Sequence, residues 1–198
     1  EYDTIYHEHL LYLGIKPVIN YVKKFNMEVF DVEEHPIHGG SIRVFIGYKD
    51  AHDVKITVKD LLKKEEEAQI YSIDSLHKFA SDVHTHRYEL VHLIKDLKKE
   101  GKSIAVLSTP AKGMTLLNYC KLGKEYIDFA TERSSLKIGK YTPGTHIPIY
   151  DDSELLKRRP DYALVLAWNF APEIIKNQEE YRKLGGKFII PIPKPLIV

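Results

Sequence analysis

The sequence holds one cysteine, Cys120, in 198 residues. An internal disulfide framework and a multi-cysteine zinc site are therefore excluded, and the chain suits a reducing compartment. It lacks any imbalance of charge, with 29 Lys and Arg against 28 Asp and Glu and a formal net charge of +1. No global field draws it to nucleic acid or to an anionic membrane. No apolar run approaches the ~20 residues needed to span a bilayer, and the first residues lack the basic-then-apolar form of a secretory signal. A cytoplasmic location is the expectation. There is no Gly-x-Gly-x-x-Gly run, which disfavours a dinucleotide fold of standard type. The chain also begins at Glu1, without Met and with little lead-in before its reactive residues. A piece of a longer polypeptide is expected.

What is present is the composition of a globular protein with a core, 43% hydrophobic and 29% charged. Its 13 Tyr and 10 His gather in the first fifty residues and again near 84–92. Ile15, Val18, Ile19, Val22 and Phe25 recur at helical spacing, with Asn26 as a stop. Met27–Val32 and Ser41–Tyr48 read as an antiparallel pair joined by "EEHPIHGG". Thr57 and Asp60 stand at capping-box spacing before a short helix. A long helix follows, with Leu76, Phe79, Val83, Leu90, Val91, Ile94 and Leu97 as its apolar stripe and Gly101 as its end.

From Gly101 the pattern alternates strand and helix. Strands are expected at Ser103–Leu107, Tyr126–Ala130, Asp161–Trp168 and Lys187–Pro193, with helices in "PAKGMTLLNYCKLG" and "APEIIKNQEEYRKLGG". Near-continuous apolar strands between helices predict an α/β fold, Rossmann-like in the broad sense, with a mostly parallel sheet covered on both faces. The expected division is a motif-bearing helix and strand pair over 1–60 and an α/β core over 73–198.

Four stretches carry chemistry. In "TPAKGMTLLNY", Gly113 permits close approach and Lys112 can meet a phosphate at a strand-to-helix turn. The alternative is that Pro110 opens the helix and Lys112 is solvated. "YTPGTHIPIY" presents Thr145 and His146 on a turn, to a ligand or as structural groups. In "EEHPIHGGSIR", Gly39 and Gly40 admit a ligand to the backbone and Arg43 can pair with phosphate. His35 and His38 could instead join His7 and His9 as metal ligands in a hydrolase, but nothing in the spacing forces this and no metal is expected. The opening "YHEH" places Tyr6, His7, Glu8 and His9 in succession. A histidine beside a carboxylate makes a general base, and a tyrosine can act as an acid or hold an enolate oxygen. In an extended segment Tyr6 and Glu8 share a face; in a helical turn Tyr6 and His9 do. Simple anchoring of the N-terminal segment remains the other reading.

The stretches "YDTIYHEHLLYL", "VEEHPIHGGSIRV", "AKGMTLLNYC", "KYTPGTHIPI", "PDYALVLAWNFAPEII" and "GGKFIIPIPKP" resemble, in this order and nearly end to end, a known family. It is the C-terminal domain of S-adenosylmethionine-dependent C-methyltransferases acting on nucleotide-activated ketodeoxysugars. The resemblance implies a substrate-side domain that faces a central methyltransferase domain holding S-adenosylmethionine. Zinc is implied only in a further N-terminal domain. Neither of those domains is among these residues, so the isolated chain is expected to be inactive.

The resemblance implies that Tyr6, Glu8 and His9 face that cleft. His9 is the base that removes the proton alpha to the sugar ketone, with Glu8 its partner or alternative, and Tyr6 positions substrate or stabilises the enolate. His38, Gly39, Gly40, Arg43, Lys112, Thr145 and His146 are implied to line the nucleotide-sugar side. Leu107-Ser108-Thr109-Pro110 departs from the family, which tends to have a Gly-x-Gly-Ala run there. The competing expectation is a non-catalytic nucleotide-sugar-binding module of the same fold.

Overall fold

The computed structural model describes residues 2–36 and 40–198. They fall into two compact units, one made of the residues up to His9 with Asp82–Val198, the other of Leu10–Ser81. These boundaries differ from the expected 1–60 and 73–198 division, because the segment bearing Tyr6 and His9 belongs with the α/β unit. Its ties there are side-chain bonds from Tyr2 to His86 and from Trp168 to Asp3.

The Leu10–Ser81 unit contains α1 (Ile15–Val22), the strands β1 (Met27–His35) and β2 (Ser41–Tyr48), and α2 (Ile56–Glu67). It also contains the start of α3 (Ile73–Lys99), which continues into the other unit. The helix expected to reach Phe25 is α-helical to Val22, then tightens to a 3-10 turn, and Asn26 ends it in the left-handed region at φ 55°. β1 and β2 pair antiparallel with a register shift between Val29 and Asp31. Ile15, Val22, Val29, Val32, Val58 and Leu61 form the core.

The capping box expected at Thr57 is not formed. Thr57 lies inside α2, and its hydroxyl instead donates to Asp31 at 2.8 Å. The side-chain cap in this unit is Glu65, buried, which accepts the N–H groups of Ile15 (2.6 Å) and Lys16 (3.3 Å) at the start of α1. It satisfies orphan donors that Gly14 at the N-cap cannot.

In the α/β unit the sheet runs β5-β4-β3-β6-β7-β8. Its strands are β3 (Ile104–Leu107), β4 (Phe129–Glu132), β5 (Ile149–Asp151), β6 (Tyr162–Val165), β7 (Lys187–Ile190) and β8 (Leu196–Ile197). All neighbours are parallel except β7 and β8. Alternation along the strands sends Ile104, Val106 and Leu164 to one face and Ala105, Leu107, Ala163 and Val165 to the other. The first face packs on Leu90, Ile94 and Leu97 of α3 and on α4 (Ala111–Cys120). The second packs on α5 (Glu154–Arg158), α6 (Ala171–Asn177) and α7 (Glu179–Lys183). This is the expected sheet covered on both sides. Full burial of a side chain such as Leu90 contributes about 1.5–3 kcal/mol.

Several boundaries differ from expectation, among them β1, which runs on to His35, and β6 and β7, which end at Val165 and Ile190. The strand expected at Tyr126 begins at Phe129, because the Asp128 carboxylate accepts the Ile104 N–H (2.7 Å) and pairs with Lys98. The helix after Phe170 breaks at Gln178 into α6 and α7. In α3, Leu76 and Phe79 are exposed, so the working stripe starts further along the helix.

Candidate functional site

The chain moves from β3 outward to β4 and β5, returns to β6 on the other side of β3, and continues to β7. The order therefore reverses between β3 and β6. In open α/β sheets, ligands bind outside the carboxyl ends of the strands at such a point. Two loops meet there, Ser108–Pro110 after β3 and Leu166–Asn169 after β6. Lys112, in the first turn of α4, donates to the Asn169 side-chain oxygen. Its ammonium stands 4.3 Å from the centroid of the Trp168 ring.

Gly113, read as permitting close approach, is approached by the start of the loop after β6. A Cβ there would fall 2.7 Å from Leu166 Cβ, so its bareness brings α4 close onto the residue that follows β6. In the Leu107–Pro110 stretch at the end of β3, which lacks glycine, Ser108 adopts the left-handed region at φ 71°. The loop is held by Glu132 at the end of β4. One Glu132 oxygen accepts from Thr109 N–H (3.1 Å), Thr109 Oγ1–H (2.6 Å) and Lys137 (3.2 Å). The other accepts the N–H groups of Arg133 (2.9 Å) and Ser134 (3.3 Å). Burial acts to raise the Glu132 carboxyl, but these hydrogen bonds outweigh it and hold it at about 2. A doubly wound sheet offers a carboxylate near this strand end to a cofactor ribose. Here both of its oxygens are filled by the protein.

The "YHEH" segment reaches the same unit through a 3-10 turn, Tyr2–Thr4. The buried Tyr2 and Asp3 anchor it. His86 Nε2 lies 2.6 Å from the Pro191 carbonyl and donates to it, so in the neutral ring Nδ1 accepts the Tyr2 hydroxyl at 3.0 Å. Burial, with Cys120 nearby, raises the Tyr2 phenol far above its ordinary range and keeps it a donor. Asp3 accepts the Trp168 indole N–H at 2.6 Å.

Past the anchor the chain turns, and His9 N–H donates to the Tyr6 carbonyl at 2.9 Å. Of the two geometries the sequence left open, the turn is adopted. The Tyr6 and His9 rings lie together, centroids 4.4 Å apart. His9 Nδ1 is 2.7 Å from the Thr4 carbonyl. A carbonyl only accepts, so Nδ1 carries the hydrogen and the lone pair of the neutral imidazole is on Nε2. Glu8 and His7 are exposed on the same turn, the His7 ring 6.1 Å from that of Tyr6.

The other expected residues are placed as follows. Thr145 and His146 sit on a turn before β5, at the edge where the parallel strands begin. The Thr145 hydroxyl is 2.7 Å from that of Thr142, and Asn118 of α4 donates to Pro143 beside them. Lys112 and Asn118 are separated by about 9 Å along the helix at 1.5 Å per residue, so the turn and the ammonium serve opposite edges. Gly40 and Arg43 belong to the Leu10–Ser81 unit. Gly40 has φ 127°, open to glycine alone, and Arg43 pairs with Glu33 across the strands at 3.2 Å. A cleft of about 500 Å³ beside them is lined by Tyr12, His35, Gly40, Ser41 and Glu65 among others. His38 and Gly39 lie outside the described residues. Among the described residues no three His, Cys, Asp or Glu side chains are grouped to hold a metal ion. Among them, too, no helix is long and apolar enough to cross a membrane.

Asp3, Trp168, Asn169 and Glu132 escaped the sequence reading. The signal for two of them was visible in retrospect: a lone Trp followed by Asn closes a predicted strand beside the Lys112 turn.

The chain matches a methyltransferase domain family. Residues 36–193 match the family model for the C-methyltransferase C-terminal domain, and the chain belongs to that family. A relative, the C-methyltransferase NovU of Streptomyces niveus, is 37% identical over the whole of this chain and over 47% of its own length. The chain spans about half the length of the curated relative it matches.

Proposed function

We propose that this chain is the substrate-side domain of an S-adenosylmethionine-dependent C-methyltransferase that methylates a carbon alpha to the ketone of a nucleotide-activated deoxysugar. His9 is the base, acting through Nε2. Tyr6, beside it, positions the substrate or stabilises the enolate oxygen, and Glu8 supports His9. Methyl transfer to carbon needs a carbanion equivalent, so a base and an enolate-stabilising donor are both required. The methyl donor supplies the electrophilic carbon from a domain outside these residues, and zinc belongs to neither unit.

The observation that carries the reading is the His9 Nδ1 contact to the Thr4 carbonyl, which fixes the basic nitrogen, with the Tyr6 ring 4.4 Å away. Support for the substrate side comes from Lys112 at the switch point, and Gly40 and Arg43 on the strand pair are proposed contacts. His38, Gly39, Thr145 and His146 are the remaining proposed contacts. The whole protein is proposed to be cytoplasmic, its substrate domain facing the methyltransferase domain of the same polypeptide.

The test is methylation of thymidine-diphosphate and uridine-diphosphate ketosugars by the full-length enzyme, read by mass spectrometry and carbon NMR. Transfer of one methyl group to the α-carbon is expected. A product methylated on oxygen or nitrogen overturns the reading. The departure of the Leu107–Pro110 loop favours a second reading, a nucleotide-sugar-binding module without catalysis. Binding of the sugar nucleotide with no turnover in the full-length protein would support it.

A further inference from the structure

Asp3 is a fully buried carboxylate that is sparsely bonded. One oxygen accepts the Trp168 N–H, while Oδ1 is buried with no hydrogen-bond partner among the described residues. Burying a charge with an unmet lone pair is unfavourable and calls for a compensating group nearby. A cation stands on the other side of the indole. The Lys112 ammonium stands over the ring face while the Asp3 carboxylate holds the ring edge through Nε1–H. A carboxylate on the N–H enriches the ring's π cloud, and the enriched face holds the cation more strongly. The indole thus sits between an anion and a cation, each strengthening its grip on the other.

The anion side continues to the imidazole. Asp3 and Thr4 share one 3-10 turn, and the Thr4 carbonyl is the group that receives His9 Nδ1–H. Contacts therefore run without a gap from Lys112 through Trp168 and Asp3 to Thr4 and His9, all within one compact unit.

We propose that Trp168 is a positioning residue that couples the diphosphate end of the substrate, met by Lys112, to the orientation of His9. This rests on the roles given to Lys112 and His9 under the proposed function. A diphosphate draws the ammonium off the ring face. The indole then holds Asp3 differently, and the Thr4 carbonyl that fixes His9 responds. By linkage, ligand binding and base alignment favour each other reciprocally.

Trp168 is the sole tryptophan, so its indole N–H gives one NMR signal in this chain. Thymidine diphosphate is the probe, with calorimetry reporting binding separately. The expected result is that the Trp168 indole signal and the His9 ring nitrogen signals shift together on the same saturation curve. In Trp168→Phe, which keeps a ring and loses the N–H, thymidine diphosphate still binds and the His9 shift is lost. An equal His9 shift in Trp168→Phe overturns the coupling and leaves the functional reading standing.

If thymidine diphosphate does not bind, the functional reading loses its support, and the coupling is still decided without ligand. Lys112→Met is then expected to shift the His9 ring signals in the native background and not in Trp168→Phe. No His9 shift in Lys112→Met overturns it. Should Trp168→Phe fail to fold, Asp3→Asn replaces it, keeping an oxygen for the indole N–H while removing the charge. The His9 response to Lys112→Met is then expected to shrink, and an undiminished response overturns the proposal.

Discussion

Replacing Glu132 by Gln tests how the unusual loop after β3 is held. Every group facing this carboxylate is a donor: the Thr109 N–H and O–H and Lys137 on one oxygen, the Arg133 and Ser134 N–H groups on the other. Either orientation of a glutamine amide therefore sets an NH2 against N–H or O–H groups. Lowering of the Glu132 carboxyl from 4.5 to about 2 sets the scale. At about 1.36 kcal/mol per unit the shift amounts to roughly 3 kcal/mol. Lys137, the cationic partner, has a side chain 45% exposed, and solvent screening reduces the figure to about 2 kcal/mol.

The sign follows from the depressed value. The folded state binds this proton less readily than the unfolded state, so the contribution is present in full above pH 4.5 and is lost as pH falls toward 2. Denaturant melts followed by Trp168 fluorescence are expected to show Glu132→Gln less stable by about 2 kcal/mol at neutral pH. The gap should narrow below pH 4.5. A variant as stable as the parent, or a gap constant down to pH 2.5, refutes the reasoning.

Gly113→Ala pits two effects against each other. Alanine favours a helix by about 1 kcal/mol over glycine, whereas a methyl 2.7 Å from Leu166 Cβ overpacks α4 against the residue after β6 at a cost of about 1–3 kcal/mol. Net destabilisation of about 1 kcal/mol is expected in the same melts. Glu65→Gln removes the carboxylate cap of α1 and is expected to destabilise the Leu10–Ser81 unit by about 1–3 kcal/mol, measured by amide hydrogen exchange in α1. Tyr71 gives a second readout. Burial, then the bond to Glu65 (2.6 Å), pushes its phenol up to about 12, and ultraviolet titration of Glu65→Gln should find it lower.

Periodicity reports on elements whose ends are set by their own residues. Ser41–Tyr48 alternates and begins and ends where the structure has β2. The apolar strands around Ala105 and Ala163 announced a sheet covered on both faces, because each alternate residue has a helix to meet. Boundaries set by partners far along the chain were not legible. Asp128 closes the edge of β3 and so delays β4, and Thr57 abandons its cap for Asp31. The short β5 hides behind the prolines of "YTPGTHIPIY". At the site, the sharing of a face by Tyr6 and His9 was among the readings the spacing allowed, as was a lysine at a strand end. The tie between them was not, since Asp3 and Trp168 meet across 165 residues of chain.

The central claim is that His9 takes the proton alpha to the sugar ketone. The most direct measurement is exchange of that hydrogen for deuterium, followed by proton NMR as the full-length enzyme and a nucleotide-activated ketosugar stand in D2O without methyl donor. Enzyme-dependent exchange is predicted, falling by about 10²–10⁴-fold in His9→Gln. Exchange at an unchanged rate in His9→Gln would contradict it.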